Sequence, residues 1–176
     1  MTDPHPFQLR VATHDDIALL ADMHNRSRAA TYRGQVPDDY IDRVMPAASL
    51  PLWEEKLAQL RDGAGQVLIA TLGGAAIGFV CMETPDAQGS AYIASLHAMP
   101  GHKGLGAGTR MLEATARWSR ERGARRMHLK VLESNAAAIG FYQSRGWVCT
   151  GSVHDTWGDG VAVTALVYAL DLDAGA

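Results

Sequence analysis

Glycines at positions 104, 106 and 108 fall within the segment PGHKGLGAGT, residues 100–109, between a strand-like stretch and an amphipathic helical one. Without side chains there, the backbone approaches a ligand closely and aims successive N–H groups at an anion on the positive end of the helix. A diphosphate fits such a site. The run is not a P-loop, because no Gly-Lys-Ser/Thr closes it and both the phosphate-chelating lysine and the magnesium-binding hydroxyl are missing. A dinucleotide fold is disfavoured. The spacing is G-x-G-x-G rather than G-x-G-x-x-G, and the preceding strand comes late, after an antiparallel series. Taken alone, the run also reads as a turn that merely reverses the chain.

The surrounding pattern gives the loop its context. Residues 7–11 alternate as a strand. Thr13 followed by Asp16 reads as an N-cap with a capping-box acid, opening a helix through about Ala29. Residues 37–45 begin with proline and two aspartates, as a first helical turn prefers; Pro46 interrupts, and Ser49 is placed to cap a further helix through Leu60. Residues 66–72 and 75–83 are two strands joined at Gly73-Gly74, and residues 90–99 are a third. A long helix over 106–122 carries Met111, Leu112, Thr115 and Trp118 at helical spacing and stops at Gly123. A strand over 126–132 follows, then a short helix capped by Ser134 or Asn135 and ended by Gly146, then strands over 147–153 and 161–170. The order β-α-α-β-β-β-α-β-α-β-β predicts a mixed α/β (α+β) fold, its twisted sheet mostly antiparallel with helices on both faces. Residues after Leu170 are expected to form a loose tail, and the core to span about 7–170 of one domain covering 1–176.

Composition narrows the class. The 176 residues are 47% hydrophobic and 20% charged, and no apolar run reaches membrane-spanning length. The amino terminus lacks the pattern of a secretory signal, so a cytoplasmic location is expected. A formal net charge of -3 gives no electrostatic reason for nucleic-acid binding, and the arginines at 117, 120, 122, 125 and 126 read as a solvated helix face and its exit. Cys81 and Cys149 each lie in an apolar strand-like run, which suits buried reduced thiols better than a disulfide or metal framework.

Two motifs carry a specific resemblance. Lys103-Gly104-Leu105-Gly106-Ala107-Gly108 resembles the Gln/Arg-x-x-Gly-x-Gly/Ala motif of the GNAT superfamily of acyl-CoA-dependent N-acetyltransferases, with lysine in place of the usual Gln or Arg. Residues 129–147, LKVLESNAAAIGFYQSRGW, resemble that family's strand, Asn, Ala-Ile, Phe-Tyr, Gly-aromatic series. The likeness implies a GNAT fold and acetyl-CoA as cosubstrate, with no metal. It implies that the backbone of Leu96, His97 and Ala98 binds the pantetheine and acetyl portion by extending the sheet. It also implies that Lys103, Gly104, Leu105, Gly106, Ala107, Gly108 and Thr109 hold the diphosphate, and that Asn135 stands near the cofactor. Tyr142 aligns with the tyrosine that donates a proton to the departing CoA thiolate; beside it, Phe141 is expected to pack into the core.

The general base is less defined. Positions that carry acidic or histidine bases in some relatives hold Tyr92 and Ala94, and the glutamate of the protein-N-terminus branch is replaced by Lys130. Strand alternation sets Tyr92, Ala94 and Leu96 on one face and Ile93, Ser95 and His97 on the other, turning His97 away from the acceptor. Glu83 is the leading carboxylate candidate, with Glu133 behind it, and a mechanism without a dedicated base is the working hypothesis. Acceptor-pocket candidates are Tyr32, Arg33, Asp38, Asp39, Tyr40, Asp155 and Trp157, the acidic ones read as attracting a cationic amine. The expected reaction is direct acetyl transfer to a primary amine in a ternary complex, the acceptor a small molecule. A protein amine and a non-catalytic acyl-CoA sensor or scaffold are the alternatives, and a homodimer is among the assemblies the family makes common.

Overall fold

The computed structural model describes residues 7–173. Seven strands form one sheet: β1 (Phe7–Val11), β2 (Gly65–Leu72), β3 (Ala75–Glu83), β4 (Ser90–Ala98), β5 (Arg126–Leu132), β6 (Val148–Trp157) and β7 (Val161–Asp171). Their spatial order is β1-β2-β3-β4-β5-β7-β6, and every pairing is antiparallel except β4 with β5. Four helices cover the sheet: α1 (Ile17–Tyr32), α2 (Met45–Gln59), α3 (Ala107–Glu121) and α4 (Ala136–Gln143). Leu20 and Met23 of α1 and Trp53 of α2 pack with Val67, Ile69, Phe79 and Cys81 on one face. Met111 and Leu112 of α3 and Tyr142 of α4 pack with Leu68, Val80, Met82 and Ile93 on the other. The mixed, mostly antiparallel sheet with helices on both faces is thus present.

Two local devices set the entry and course of α1. The Asp16 carboxylate accepts the Thr13 N–H (2.8 Å) and takes both ends of the Arg10 guanidinium (2.7 and 2.8 Å), which holds its pKa down at about 2. The helix then runs to Tyr32, three residues past the expected end, and this extra turn carries Tyr32 to the site described below.

The next segment departs from expectation. Residues Tyr40–Val44 form a wide π turn that passes directly into α2, and Pro46 occupies its first turn, where a missing N–H costs no hydrogen bond. Ser49 is therefore interior to the helix rather than its cap. Its hydroxyl donates back to the Met45 carbonyl (2.8 Å) and lies against Asn25 of α1.

Residues 171–172 of the expected loose tail are instead fastened to the sheet, and residues 174–176 lie outside the described residues. β7 reaches Asp171, Leu172 is only 3% exposed, and its N–H donates to the Arg125 carbonyl (2.8 Å). Arg126 pairs with Asp171 (3.0 Å) and the Arg120 guanidinium donates to the Leu172 carbonyl, so part of the arginine cluster fastens residues 171–172. Of the two cysteines, Cys81 is buried as expected, its pKa pushed up to about 12 by desolvation. Cys149 is exposed. It lies on β6, the edge strand, whose residues are nearly all open to solvent.

Candidate acetyl-CoA and acceptor site

β4 and β5 are paired only from Ser90 with Arg126 to Ile93 with Leu129; beyond that register they part. The gap opens into a cavity of about 870 Å³. Its walls are β4 from Tyr92 to Ala98, β5 from Leu129 to Leu132, the glycine loop, α4, and the inner face of α1. A strand edge freed from its neighbour offers main-chain donors and acceptors to an extended ligand bearing amides, which is strand addition in miniature.

A bulge in β4 decides which side chains meet the cavity on the α1 side. Cys81 pairs with Ser95 while the adjacent Met82 pairs with Ile93, so β4 carries one extra residue. Simple alternation fails across it. Ala94 packs with the α1 and α2 cluster whereas Leu96 packs with the α3 cluster. His97 is thereby turned toward α1, not away from the acceptor end. Its ring stacks on Phe79 (5.2 Å between centroids) and Nδ1 lies 2.7 Å from Ser27 Oγ. Burial, with Arg28 and Lys103 nearby, lowers its pKa to about 3, so the imidazole is neutral at physiological pH. Behind it, His24 is buried between Trp53 and Phe79, with Nδ1 unpartnered among the described residues, and its pKa is lowered further still.

At the other end, the glycine loop turns into α3. Gly106 is the N-cap with φ of 89°, a left-handed conformation that a side chain resists, and no side-chain hydrogen bond caps the helix. Arg110 N–H is the first to return to the loop, to Gly106 O (3.0 Å), which leaves the amides of Ala107, Gly108 and Thr109 at the open helix end. Lys103, Gly104, Gly106, Ala107, Gly108 and Thr109 all line the cavity; Leu105 does not, and is 50% exposed. Arg145, which the sequence reading passed over, also lines it. Its guanidinium lies over the Phe141 ring (3.8 Å) and donates to Thr109 Oγ1 (2.7 Å). Open amides, two cations and a free strand edge fit the diphosphate and pantetheine of coenzyme A.

The remaining residues divide clearly. Asn135 lines the cavity and caps α4, its Oδ1 accepting the Ala138 N–H (3.2 Å), so its side-chain NH2 is left as a donor. Tyr142 lines the cavity, buried against Phe141 and Trp147, and desolvation raises its pKa. Glu83 stands outside the cavity wall and pairs with Lys56 (3.1 Å); Glu133 lies along a separate groove. Tyr32, Tyr40, Asp155 and Trp157 line the cavity, with Trp157 against both tyrosines (5.6 and 6.2 Å). Arg33, Asp38 and Asp39 do not. They are spent in exposed ion pairs, Arg33 with Asp38 and Asp42, and Asp39 with Arg43. His24, Ser27 and Arg28 were missed in the sequence, although the i, i+4 row of positions 24, 28 and 32 marks one helix face.

A sheet parted beside a glycine-turned helix end is what the resemblance to the acyl-CoA-dependent acetyltransferases implied. The chain belongs to the acetyltransferase (GNAT) family, whose model matches residues 26–147, and is an acyltransferase. It is 39% identical over 46 residues to the uncharacterized N-acetyltransferase YobR of Bacillus subtilis (strain 168), a match that covers 26% of this chain and only 19% of that protein. The PaiA N-acetyltransferase of Thermoplasma acidophilum, solved in complex with coenzyme A, superposes with a TM-score of 0.75 over 94% of this chain and 98% of its own, at 16% identity. Nourseothricin acetyltransferase superposes with a TM-score of 0.58 over 63% of this chain and 67% of its own, at 28% identity. No helix among the described residues is long and apolar enough to cross a membrane.

Proposed function

We propose that this chain, acting as one cytoplasmic domain, transfers the acetyl group of acetyl-CoA to the primary amine of a small molecule by direct attack in a ternary complex. The observation that carries this reading is the cavity itself, which runs from the open end of α3 along the freed edge of β4 to an aromatic wall of Tyr32, Tyr40 and Trp157. Trp157 packs against both tyrosines at that end, and this aromatic lining supports a small acceptor. The name of nourseothricin acetyltransferase supports the same direction.

Bound acetyl-CoA supplies an activated acyl carbon and a thiolate leaving group. Lys103, Arg145 and the amides from Gly104 to Thr109 hold the diphosphate, and the main chain of Leu96, His97 and Ala98 orients the pantetheine arm. Tyr142, kept protonated by burial, gives its proton to the departing sulfur. His97 holds the amine. In the tautomer whose Nδ1–H donates to Ser27, Nε2 presents a lone pair that positions the nucleophile. An imidazole this weakly basic does not store the ammonium proton, and Glu83 is committed to Lys56, so that proton leaves to water and the amine attacks neutral. The proton that nitrogen sheds as the amide forms returns through water to the Tyr142 oxygen.

The pH profile follows from this. Between about pH 6 and 9, kcat/KM rises about tenfold per unit and levels at the acceptor's own pKa, because only the free amine attacks. His97 is neutral above about pH 3 and contributes no inflection. A break near the ordinary histidine range that disappears in His97→Gln would instead make the imidazole the base. The reading as a whole is tested by CoA-thiol release over a panel of amines, antibiotics and peptides. Release with one class of small amine supports it; release with peptides alone, or binding of acetyl-CoA with no transfer, moves the chain to a protein acetyltransferase or a sensor.

A further inference from the structure

Arg28 is a cation that the transfer chemistry leaves without a task. It stands on α1 between His24 and Tyr32 and lines the cavity at its aromatic end. Nη2 donates to two neutral groups, Asn25 Oδ1 and Ser49 Oγ, both at 3.2 Å. Nε is buried with no partner, and among the described residues no carboxylate pairs with the guanidinium. Of the other cations that line the cavity, Lys56 is paired with Glu83, Lys103 and Arg145 belong to the glycine-loop end, and Lys130 is exposed on β5. Desolvation lowers the Arg28 pKa, the mark of a charge that lacks a counter-ion, yet an arginine stays protonated. A half-buried charge without a partner is costly, and Asn25 and Ser49 fix its direction rather than neutralise it.

We propose that the acceptor is an amine that also bears a carboxylate, which the Arg28 guanidinium binds while the amine reaches His97. This rests on the reading of the chain as a small-molecule acetyltransferase. The planar fork of one guanidinium matches the single charge and two oxygens of a carboxylate, and Lys56, the other cation on the helical side of the cavity, is already matched. Ser27, one residue before Arg28, holds His97, so the two contact points of such a ligand lie on adjacent residues of α1. Tyr32, Tyr40 and Trp157 stand beside them and suit an apolar or aromatic side chain. The ligand class is therefore an α-amino acid or a close analogue.

The test is acetyl-CoA turnover with L-phenylalanine, L-leucine and L-methionine, each against its carboxamide, with rates corrected for the fraction of free amine. Wild-type protein is expected to favour at least one acid over its amide by on the order of 100-fold in kcat/KM. Arg28→Gln brings that ratio to within about threefold, chiefly through KM for the acid, and Arg28→Lys restores part of it because the charge returns without the fork. Calorimetric binding of acetyl-CoA checks that each variant is folded; if Arg28→Gln is not, the wild-type ratio alone decides. Amides turned over as well as acids, or Arg28→Gln lowering both equally, overturns the inference. Turnover of carboxylate-free amines with none of the acids overturns it while leaving the transferase standing. No turnover of any amine, together with no acetyl-CoA binding, overturns the underlying reading as well.

Discussion

Tyr142→Phe is expected to lower kcat by about 100-fold, the low end of what a positioned general acid contributes, with acetyl-CoA affinity changed by less than about threefold. The substitution removes one oxygen from a ring whose place is fixed by its neighbours. Tyr142 is packed against Phe141 and Trp147 and belongs to the core beneath α3, and a phenyl ring makes the same contacts. Its side chain lines the cavity, and the ring contacts that hold it are kept by a phenyl group, so stability is nearly unaffected. What is lost, on the proposed mechanism, is the proton source. Desolvation keeps that proton on the phenol at physiological pH, which suits a group that must deliver it only when negative charge develops on sulfur. Steady-state kcat at saturating acetyl-CoA and amine, beside calorimetric affinity, makes the comparison. A kcat within about threefold of wild type would show that the thiolate departs without help from Tyr142.

The second large effect is on stability in mild acid. His24 and His97 are held neutral in the folded protein, His97 at about 3 and His24 lower, against about 6.5 for an unfolded histidine. Their folded pKa values are depressed, so below about 6.5 the unfolded chain takes up protons that the folded chain refuses. Stability is full above that value and falls as pH decreases from 6.5 toward 3. Between pH 6.5 and 5 each histidine removes about 2 kcal/mol, and the pair about 4 kcal/mol, a large part of a typical folding free energy. Asp16 behaves differently: its depressed pKa of about 2 keeps its contribution intact until pH falls below about 3.8. Urea unfolding at pH 7.5 and pH 5 measures the loss, and His24→Phe, placed among Trp53 and Phe79, is expected to reduce it by about half. Equal stability at the two pH values would mean that the pair is hydrated enough to accept protons in the folded state.

How far these features were legible in the sequence depends on how local their causes are. The Gly73-Gly74 hairpin, the capping-box Asp16, the helix stop at Gly123 and the glycine loop are each written within a few residues, and each stands where it was expected. Asn135 was legible as a cap because its acceptor is three residues away. The bulge in β4 was not, since it exists only as a mismatch in register with β3, and it alone decides where His97 points. Glu83 looked free because Lys56, its partner, is 27 residues distant. Asp38 and Asp39 looked like acceptor-site acids until the π turn placed them beside Arg33 and Arg43 on the outer surface. The exposure of Cys149 followed from β6 lying outside β7, a fact of strand order that no apolar run of residues encodes.

The most direct measurement is a calorimetric titration of acetyl-CoA into the wild-type chain and into Gly106→Val. Gly106 adopts φ of 89° at the open end of α3, where a β-branched residue is strained by about 1–3 kcal/mol and pulls the loop out of shape. The expected result is one-to-one binding by wild type, weakened at least about tenfold in the variant while its thermal unfolding remains cooperative. No binding by the wild-type chain, or equal binding by both, would contradict the placement of the cosubstrate on which the proposed transfer depends.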